Sequence, residues 1–554
     1  MPSSMGRSTL SLFISGLLVS TVLLGVVPAQ SSVGKATVGI AEVDGSSIWR
    51  NATVLEQMGA SYPAYRCAGS AGANASADWI LSRFQELGLE AWTEEFQFYG
   101  WDLTSKPSMV VYFQNGSSAS NLSLGSFQAE HFSFATPNGG ALGEVVLLPL
   151  PSTRSIGSFS GLSYNQDYWQ GIDIHDRIVL VGREVRWNPE WEAGLADKLQ
   201  EGPSALVFYY SQTWTSSWEV MYSASSGGRP LSNEGSYLHY LKVPAGHLDL
   251  DDSEWLLDEI KVGNVTGQVR IESREGVWAQ RNVAALLPGD AAGSGQVLLT
   301  AHYDSVMDEG FCDNALGVAT MLEMASQLAD MRANEGLKLE SSVLFVAFTG
   351  EELGFVGSNY YYAMHASEIE EVMAAINIDC PGAGALTRTP TYSSNGIDLD
   401  ELVDQVASST GISSSVEDGG SDQQSFLYPS QVAEQMQSHW GLSPDIPVDA
   451  VQLISSISVC SAPLTPLEPQ PWGWIHTSRD SSAFCSASGW VSEDHLSEQG
   501  DVILAVCLDL IGASEAPTDD GSGQLPTSVV IMVILAIVSV AVILGLVLRS
   551  RRSL

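Results

Sequence analysis

Histidine and carboxylate side chains recur in short polar segments in the second half of the chain. Most of these segments directly follow an apolar run, so a side chain able to bind metal lies where a buried strand is expected to end. Imidazole nitrogens and carboxylate oxygens are ligands that suit zinc, and a carboxylate beside the metal can act as a general base. A single segment of this kind is ordinarily a pair of solvated polar side chains at the surface. Several such segments, one after another at the expected ends of buried strands, indicate a metal centre. The candidate side chains are His302, Asp304, Asp313, Glu351, Glu352, Asp379 and His476.

Alternating strands and helices are expected to position these side chains. The predicted fold class is α/β, with a mostly parallel central sheet covered by helices on both faces. Ligands of such sheets bind beyond the carboxyl ends of the strands, which is where the candidate residues lie. Buried strands are predicted at 283–287, 296–300, 342–348 and 374–378, and amphipathic helices at 76–87 and 315–329.

The polar segments together resemble the motifs of M28 metallopeptidases, a family of aminopeptidases that use two zinc ions. They read His-Tyr-Asp at 302–304, Asp-Asn-Ala-Leu-Gly at 313–317, Gly-Glu-Glu-Leu-Gly at 350–354, Asn-Ile-Asp at 377–379 and His-Thr-Ser-Arg-Asp at 476–480. The resemblance covers roughly residues 50–515. It implies the zinc exopeptidase fold and Zn²⁺ as the cofactor, with two ions per chain.

The resemblance also implies how five side chains would share the metal ions. His302 and Asp379 would bind one zinc ion, and Glu352 and His476 would bind the other. Asp313 would bridge the two ions. Two zinc ions carry a charge of +4 and the three carboxylates return −3, so a bridging hydroxide would make the centre neutral. Metals of this kind lower the pKa of bound water to about 7, so hydroxide exists at neutral pH.

Two further carboxylates would act beside the metal ions. The resemblance implies that Glu351 is the general base and that Asp304 holds the His302 ring through its free nitrogen. The sequence departs from the family pattern at Cys312, where many members have a second aspartate, and at Gln423, where histidine is usual. Neither position is an implied ligand, so the departures bear on substrate preference more than on catalysis.

A β-rich insert that resembles a protease-associated (PA) domain is predicted within the peptidase domain. The resemblance rests on two apolar segments predicted as strands, at 176–181 and 204–209, with a helix predicted between them at 191–199. The role of this insert stays open. The predicted boundaries are 30–138 for the N-terminal part of the peptidase domain, 139–270 for the PA-like insert and 271–516 for the catalytic part.

The two ends of the chain predict export and membrane anchoring. Residues 1–29 have the order of a secretory signal peptide, with an uncleaved anchor as the alternative. Residues 517–528 form a polar stalk, and 529–548 are apolar and long enough for a transmembrane helix. The basic tail at 549–554 is expected in the cytoplasm. We therefore expect a single-pass cell-membrane protein whose catalytic domain faces outside.

The charge of the chain limits its partners. It has 64 acidic and 24 basic residues, which gives a net charge of −40. This charge repels nucleic acid and anionic membrane surfaces, so nucleic acid is excluded as a partner and membrane contact is expected only through the C-terminal helix. Peptide substrates are the expected partners, and the oligomeric state stays open.

The six cysteines are too few for a disulfide scaffold, but an exported chain permits some bridges. We predict a bridge between Cys460 and Cys485, which would clamp the loop that carries the last metal-binding histidine. A second bridge could join two of Cys67, Cys312 and Cys380, with no favoured pair. The alternative is that all six thiols are reduced and buried.

These observations predict a membrane-anchored zinc aminopeptidase, a hydrolase that removes N-terminal residues from peptides. A carboxypeptidase or dipeptidase of the same fold is an alternative; a carboxypeptidase would need cations for the substrate carboxylate, for which Arg388 and Arg479 are the nearby candidates. A glutaminyl cyclase-like enzyme uses one zinc ion and does not need all five ligands. A non-catalytic receptor ectodomain would be expected to have lost Glu351 or Glu352.

Overall fold

The computed structural model describes residues 42–115, 118–151, 161–209, 243–291, 295–383, 385–389, 397–416, 420–437, 455–462, 475–476 and 479–514. These residues form two eight-stranded sheets. In chain order the strands are β1 (Glu90–Leu103), β2 (Ser108–Asn115), β3 (Ser118–Leu124), β4 (Gln128–Ala129), β5 (Ala141–Leu148), β6 (Ile178–Gly182), β7 (Ala205–Tyr209), β8 (Ala245–His247), β9 (Thr266–Arg270), β10 (Ser273–Leu287), β11 (Gln296–His302), β12 (Ser342–Phe348), β13 (Val372–Ile378), β14 (Ala385–Arg388), β15 (Ser414–Val416) and β16 (Ser455–Ala462).

The helices of the described residues flank both sheets. In chain order they are α1 (Gly45–Ala60), α2 (Ala71–Glu86), α3 (Pro189–Leu199), α4 (Leu250–Val262), α5 (Gly317–Asn334), α6 (Val356–Met364), α7 (Leu399–Thr410), α8 (Gln423–Leu427), α9 (Pro429–Gln435), α10 (Ser482–Ser488) and α11 (Glu493–Leu510). Two of the predicted helices are present as α2 and α5, within a few residues of the expected bounds.

The larger sheet has the strand order β1-β10-β12-β11-β13-β16-β14-β15. Its four central strands, β12, β11, β13 and β16, are parallel, whereas β1, β10 and β14 join antiparallel. Almost every residue of β11, β12 and β13 is buried, as expected for parallel strands covered on both faces. The mixed α/β fold is therefore confirmed, and the antiparallel strands lie toward the edges.

Helices cover both faces of this sheet. On one face, apolar residues of α1, α2, α5 and α11 form the largest hydrophobic cluster with the strands. On the opposite face, Tyr361 and Tyr362 of α6 pack with Phe426 of α8 and Val432 of α9. The sheet is thus buried on both sides, and only the ends of its strands are left to form a site.

The smaller sheet has the order β3-β2-β9-β5-β6-β7-β8-β4. Strands β5, β6, β7 and β8 are parallel, and α3 connects β6 to β7 as the sequence predicts. Strand β9 pairs with both β2 and β5, so the hairpin of β2 and β3 extends the same sheet. The sheet therefore begins at Ser108, earlier in the chain than the predicted boundary at residue 139.

Membrane attachment falls outside this description. No helix in the described part of the chain is long and apolar enough to cross a membrane. The predicted signal peptide, stalk, transmembrane helix and tail, at 1–29, 517–528, 529–548 and 549–554, all lie outside the described residues.

The predicted Cys460–Cys485 bridge is wrong, because Cys485 is a free thiol. This residue lies on α10, where its side chain is completely buried in the hydrophobic cluster of the larger sheet. Cys460 lies within β16, in register with Thr387 of the neighbouring strand. Chain positions on either side of the last histidine therefore did not imply neighbouring sulfur atoms.

Candidate metal centre

The candidate side chains meet at the carboxyl ends of the central parallel strands. Strand β11 ends at His302, opposite Phe348 at the end of β12, and Thr300 lies opposite Asn377 near the end of β13. The glutamate pair follows β12 in a short 3₁₀ turn at Glu351–Leu353, and Asp379 follows β13 directly. Because parallel strands end at the same edge of a sheet, this topology gathers segments that are far apart in sequence.

One group of potential ligands surrounds the His302 ring. Its Nε2 atom lies 3.2 Å from Asp313 Oδ1 and 3.6 Å from Asp379 Oδ1. His302 is completely buried and Asp313 nearly so. These are the residues that the sequence assigned to the first metal ion, together with the carboxylate assigned to the bridge.

A second group lies on the other side of the same carboxylate. His476 Nε2 is 3.0 Å from Asp313 Oδ2 and 3.2 Å from Glu352 Oε2. Asp313 thus presents one oxygen to each group, which is the geometry that a bridging ligand requires. All five side chains named as ligands from the sequence are brought together in these two groups.

The donor atoms fit zinc in spacing and in electrostatics. Donors at about 2.0 Å around a tetrahedral zinc ion are about 3.3 Å apart, close to the separations within each group. The buried Nε2 of His302 and Oε1 of Glu352 have no hydrogen-bond partner among the described residues. Buried polar atoms of this kind ordinarily have one, so a cation is the missing partner that suits them.

The pKa shifts of the histidines and carboxylates also indicate a site that lacks positive charge. Burial alone would lower the pKa of His302, but the carboxylates of Glu351 and Asp379 raise it well above its usual range. Burial also opposes ionisation of Asp313, yet the rings of His302 and His476, with Nε2 atoms 3.2 and 3.0 Å from its carboxylate oxygens, lower its pKa. The directions of these pKa shifts indicate that negative charge exceeds positive charge at this site, and bound metal ions would balance it.

Glu351 lies beside the two groups without belonging to either. Its Oε2 atom is 4.0 Å from His302 Nε2, and its side chain is 12% exposed. Burial, with the negative charges of Glu352 and Asp379, raises the pKa of Glu351 well above its usual value, although His302 acts in the opposite direction. A carboxylate close to a metal centre and unbound by it is suited to accept a proton.

The carboxylate of Asp304 was expected from the sequence to orient the His302 ring, but the backbone oxygen of Asp304 lies closer to the ring. The Nδ1 atom of His302 lies 3.2 Å from the backbone oxygen of Asp304 and 3.7 Å from its carboxylate Oδ1. That same Oδ1 accepts the backbone N–H of Glu351 at 3.2 Å. Asp304 therefore holds the ring mainly through its backbone, and its carboxylate fixes the turn that carries the glutamate pair.

Two supporting residues received no role from the sequence. Asp480 accepts the backbone N–H groups of Cys312 at 2.6 Å and Asp313 at 3.1 Å, which fixes the segment that carries the shared carboxylate. Arg66 is completely buried and donates to the backbone oxygens of Tyr303, Glu309 and Gly310. The sequence feature that could have identified Asp480 is its position as the last residue of the His-Thr-Ser-Arg-Asp motif at 476–480.

Asn314 ties the segment before α5 to the end of β13. Its Nδ2 donates to Ile378 O at 2.9 Å, and its Oδ1 accepts the backbone N–H groups of Gly317 at 2.9 Å and Cys380 at 3.2 Å. A Cβ atom on Gly317 would lie 2.1 Å from Asn314 Oδ1 and 2.4 Å from Ile378 O. Only glycine permits this close approach.

Comparisons with known proteins agree with this geometry. Aminopeptidase YwaD of Bacillus subtilis (strain 168) is 28% identical over 224 residues, which are 40% of this chain and 42% of that protein. A probable leucine aminopeptidase of Arthroderma otae is 28% identical over 144 residues, 24% of this chain and 40% of that protein. The matches thus cover less than half the length of these relatives.

Solved structures show the fold. The zinc aminopeptidase BSAP from Bacillus subtilis superimposes with a TM-score of 0.54 at 19% identity, covering 85% of this chain and 95% of that one. A peptidase M28 precursor from Shewanella amazonensis SB2B gives a TM-score of 0.53 at 16% identity, covering 85% and 97%. Residues 282–489, which include all seven candidate residues, match the sequence model of peptidase family M28. This part of the chain is therefore similar to peptidase family M28.

Proposed function

We propose that this protein is a two-zinc aminopeptidase that removes N-terminal residues from peptides. The observation that carries the proposal is the position of Asp313 between two histidines, with His302 Nε2 at 3.2 Å from one oxygen and His476 Nε2 at 3.0 Å from the other. Glu351 beside this carboxylate supplies the base. The aminopeptidase names of the relatives support the same activity.

In this mechanism two zinc ions would supply Lewis acidity and lower the pKa of a shared water to about 7. His302 and Asp379 would hold one ion, Glu352 and His476 the other, and Asp313 both. Glu351 accepts the proton of the attacking water and then delivers it to the leaving amine, so one carboxyl group acts as base and then as acid.

The residues Asp304 and Asp480 keep this apparatus in position. Asp304 fixes the backbone of Glu351, and Asp480 fixes the backbone of Asp313. Both carboxylates bind backbone N–H groups of residues in the site, so replacing them would change the rate through small displacements of Glu351 and Asp313.

A carboxypeptidase is less well supported, because the nearby cations are engaged. The side chain of Arg388 is 4% exposed, with Nε 3.0 Å from Asp400 Oδ1 and Nη2 2.9 Å from Asp404 Oδ2. The guanidinium of Arg479 lies over the Phe484 ring at 5.3 Å. Neither side chain is held ready for a substrate carboxylate.

The test is the variant Glu351→Gln in the purified protein. We expect zinc content to stay near two ions per chain, while hydrolysis of free-amine aminoacyl chromogenic substrates falls by about 10²–10⁴-fold, since proton transfer is lost and metal binding is not. The matched control is Glu95→Gln on the exposed side of β1, which should keep full activity. Faster hydrolysis of N-blocked substrates than of free-amine substrates by the wild type would reject the aminopeptidase assignment.

We further propose that the smaller sheet is a PA-type module and that residues 529–548 anchor the enzyme with its catalytic domain outside the cell. The apolar length of 529–548 and the arginines that follow support the anchor. Removal of residues 526–554 should release active enzyme into the medium. Retention of this truncated chain in the membrane fraction would indicate an anchor elsewhere in the sequence.

A further inference from the structure

An irregular, buried loop joins two of the proposed metal ligands. Residues 303–310, here called the ligand loop, run from the end of β11 at His302 to the turn that carries Asp313. All residues of the loop except Glu309 are buried. Because the loop belongs to no helix or strand, its buried backbone carbonyls do not find partners in a regular ladder. They need hydrogen-bond donors from elsewhere in the protein.

The completely buried side chain of Arg66 supplies such donors at both ends of the ligand loop. Its Nε donates to Tyr303 O at 3.1 Å. Its Nη1 donates to Glu309 O at 2.6 Å, and its Nη2 donates to Gly310 O at 2.7 Å. In return, the backbone oxygen of Arg66 accepts the N–H of Ser305 at 3.3 Å. One planar guanidinium therefore binds the first residue and the last two residues of the loop, and the rigid spacing of its nitrogen atoms fixes the distance between the two ends.

The turn that carries Arg66 and the ligand loop rest on the same apolar cluster. This cluster is built mainly on the smaller sheet, and it includes Ala64, Cys67 and Ala68 of the turn together with Val306 and Met307 of the loop. Packing of both segments on one cluster holds Arg66 at the distance from which its nitrogen atoms reach the loop. None of these contacts involves a metal ion, so the metal-free protein already contains them.

Gly310 shows how closely the guanidinium approaches the segment of the shared carboxylate. Its backbone is left-handed, with a φ angle of 55°. A Cβ atom at this position would lie 2.7 Å from Arg66 Nη2 and 2.7 Å from the backbone oxygen of Asp313. The guanidinium is therefore packed against the end of the ligand loop from which the chain continues to Asp313.

We propose that Arg66 is a positioning residue of the metal centre, which sets the separation of His302 and Asp313 by holding both ends of the ligand loop. The inference rests on the proposed function, because these two side chains are ligands only if the centre binds zinc. Their separation, 3.2 Å between Nε2 and Oδ1, is close to the distance of about 3.3 Å between two donors on one tetrahedral zinc ion. Arg66 thus keeps the pair ready for the ion. A lysine would keep the charge, but its ammonium is a single point on a flexible stem and cannot bind three carbonyls at fixed spacing.

The first experiment measures amide hydrogen exchange of the full-length wild type by mass spectrometry, before and after zinc is removed with a chelator. We expect the peptide that covers the ligand loop to stay protected in the metal-free protein and to change little when zinc is added, because the contacts with Arg66 fix the loop without metal. Rapid exchange of this peptide in the metal-free protein, with protection only after zinc is added, would overturn the proposal. This measurement needs no variant, so it decides even where a substitution at Arg66 prevents folding.

The second experiment compares Arg66→Lys with the matched control Arg50→Lys, whose side chain is 67% exposed on α1. We expect Arg66→Lys to lower zinc affinity about 10–100-fold in competition with a chelator, as replacement of residues that orient metal ligands does. It should also lower kcat about 10²-fold with little change in KM, because misplaced groups slow the chemistry more than they weaken substrate binding. Arg50→Lys should match the wild type in each measurement. A folded Arg66→Lys protein that is less stable in urea but keeps wild-type zinc affinity and kcat would show a merely structural role and overturn the proposal.

The two experiments also separate this inference from the proposed function. Hydrogen exchange depends on neither zinc nor activity. A ligand loop that is protected in a protein unable to bind zinc would reject the proposed function but support the contact of Arg66 with the loop. A protein that binds two zinc ions, but whose loop exchanges rapidly until the ions are present, would support the proposed function and reject the role of Arg66.

Discussion

The far end of α6 provides a quantitative test of the electrostatics, because His365 is held there between two glutamates. His365 Nε2 lies 3.1 Å from Glu94 Oε2 on β1, and Nδ1 lies 3.1 Å from Glu368 Oε2. The hydrogen bond to Glu94, opposed by burial, raises the pKa of His365 from 6.5 to about 9. At 1.36 kcal/mol for each pKa unit, the contacts of His365 with the two glutamates should contribute up to about 3 kcal/mol to the free energy of unfolding, mostly through Glu94, because Glu368 is 69% exposed and its share is screened by solvent. The side chains of His365 and Glu94 are only 26% and 18% exposed, so solvent screening removes little of it.

The sign follows from the direction of the change. Because the pKa in the folded protein lies above that of the unfolded chain, the contribution is complete below about pH 6.5 and is lost as the pH rises through about 9. The variant His365→Gln should therefore be less stable than the wild type by about 3 kcal/mol at about pH 6 and nearly equal to it at about pH 10. Urea unfolding at several pH values measures this difference, and other titrating groups cancel between the two proteins.

A matched control is His175→Gln. His175 also contacts a carboxylate, Asp176, but their side chains are 68% and 82% exposed. Exposed pairs of this kind contribute little to stability, so this variant should follow the wild type at every pH. A stability difference for His365→Gln that stays constant from about pH 6 to about pH 10 would refute the assignment of its effect to the charged pair.

Three more predictions follow from the buried contacts. Asp480→Asn keeps only one acceptor oxygen for the N–H groups of Cys312 and Asp313, so zinc affinity should fall about 10–100-fold by competition with a chelator; unchanged affinity would contradict the positioning role. Gly317→Ala should displace Asn314 and lower both zinc content and the urea midpoint, whereas an unchanged zinc content would contradict the argument. Burial lowers the pKa of His131 to about 4, so the wild type should lose up to about 3 kcal/mol between about pH 6.5 and about pH 4. His131→Phe should remove this loss in urea unfolding, and an identical acid dependence in both proteins would argue against it.

The elements that carry the metal centre were accessible from the sequence because they obey local rules. Continuous apolar runs such as 342–348 indicate strands buried on both faces, and polar residues directly after them indicate the carboxyl edge of a parallel sheet. The family motifs then assigned a role to each candidate. His476 had no such strand before it, so only the resemblance linked it to Glu352, and the structure places their side chains 3.2 Å apart.

Long-range contacts between main chain and side chain were not accessible. The carboxylate of Asp304 was expected at the His302 ring, but it accepts the backbone N–H of Glu351, because the turn after β12 brings that amide within reach. The cysteine pairing failed for a related reason. A disulfide requires closely spaced Cβ atoms, and sequence position beside a shared loop does not determine that spacing. The extent of the smaller sheet was missed because β9 returns to pair with β2 across more than 150 residues of chain.

The pairing of β1 with β10 has a consequence for how the protein is made. Leu103 pairs with Ser273 and Glu90 with Leu286, so β1 has no partner strand until at least 170 further residues have been synthesised. At about 5–20 residues per second, a ribosome needs about 10–40 s for that stretch. The last strand of the smaller sheet to be synthesised, β9, ends at Arg270, so this sheet can assemble first. During that time the apolar faces of α1, α2 and β1 remain exposed to solvent. The speed of translation through residues 104–286 therefore sets how long the nascent chain remains exposed to aggregation.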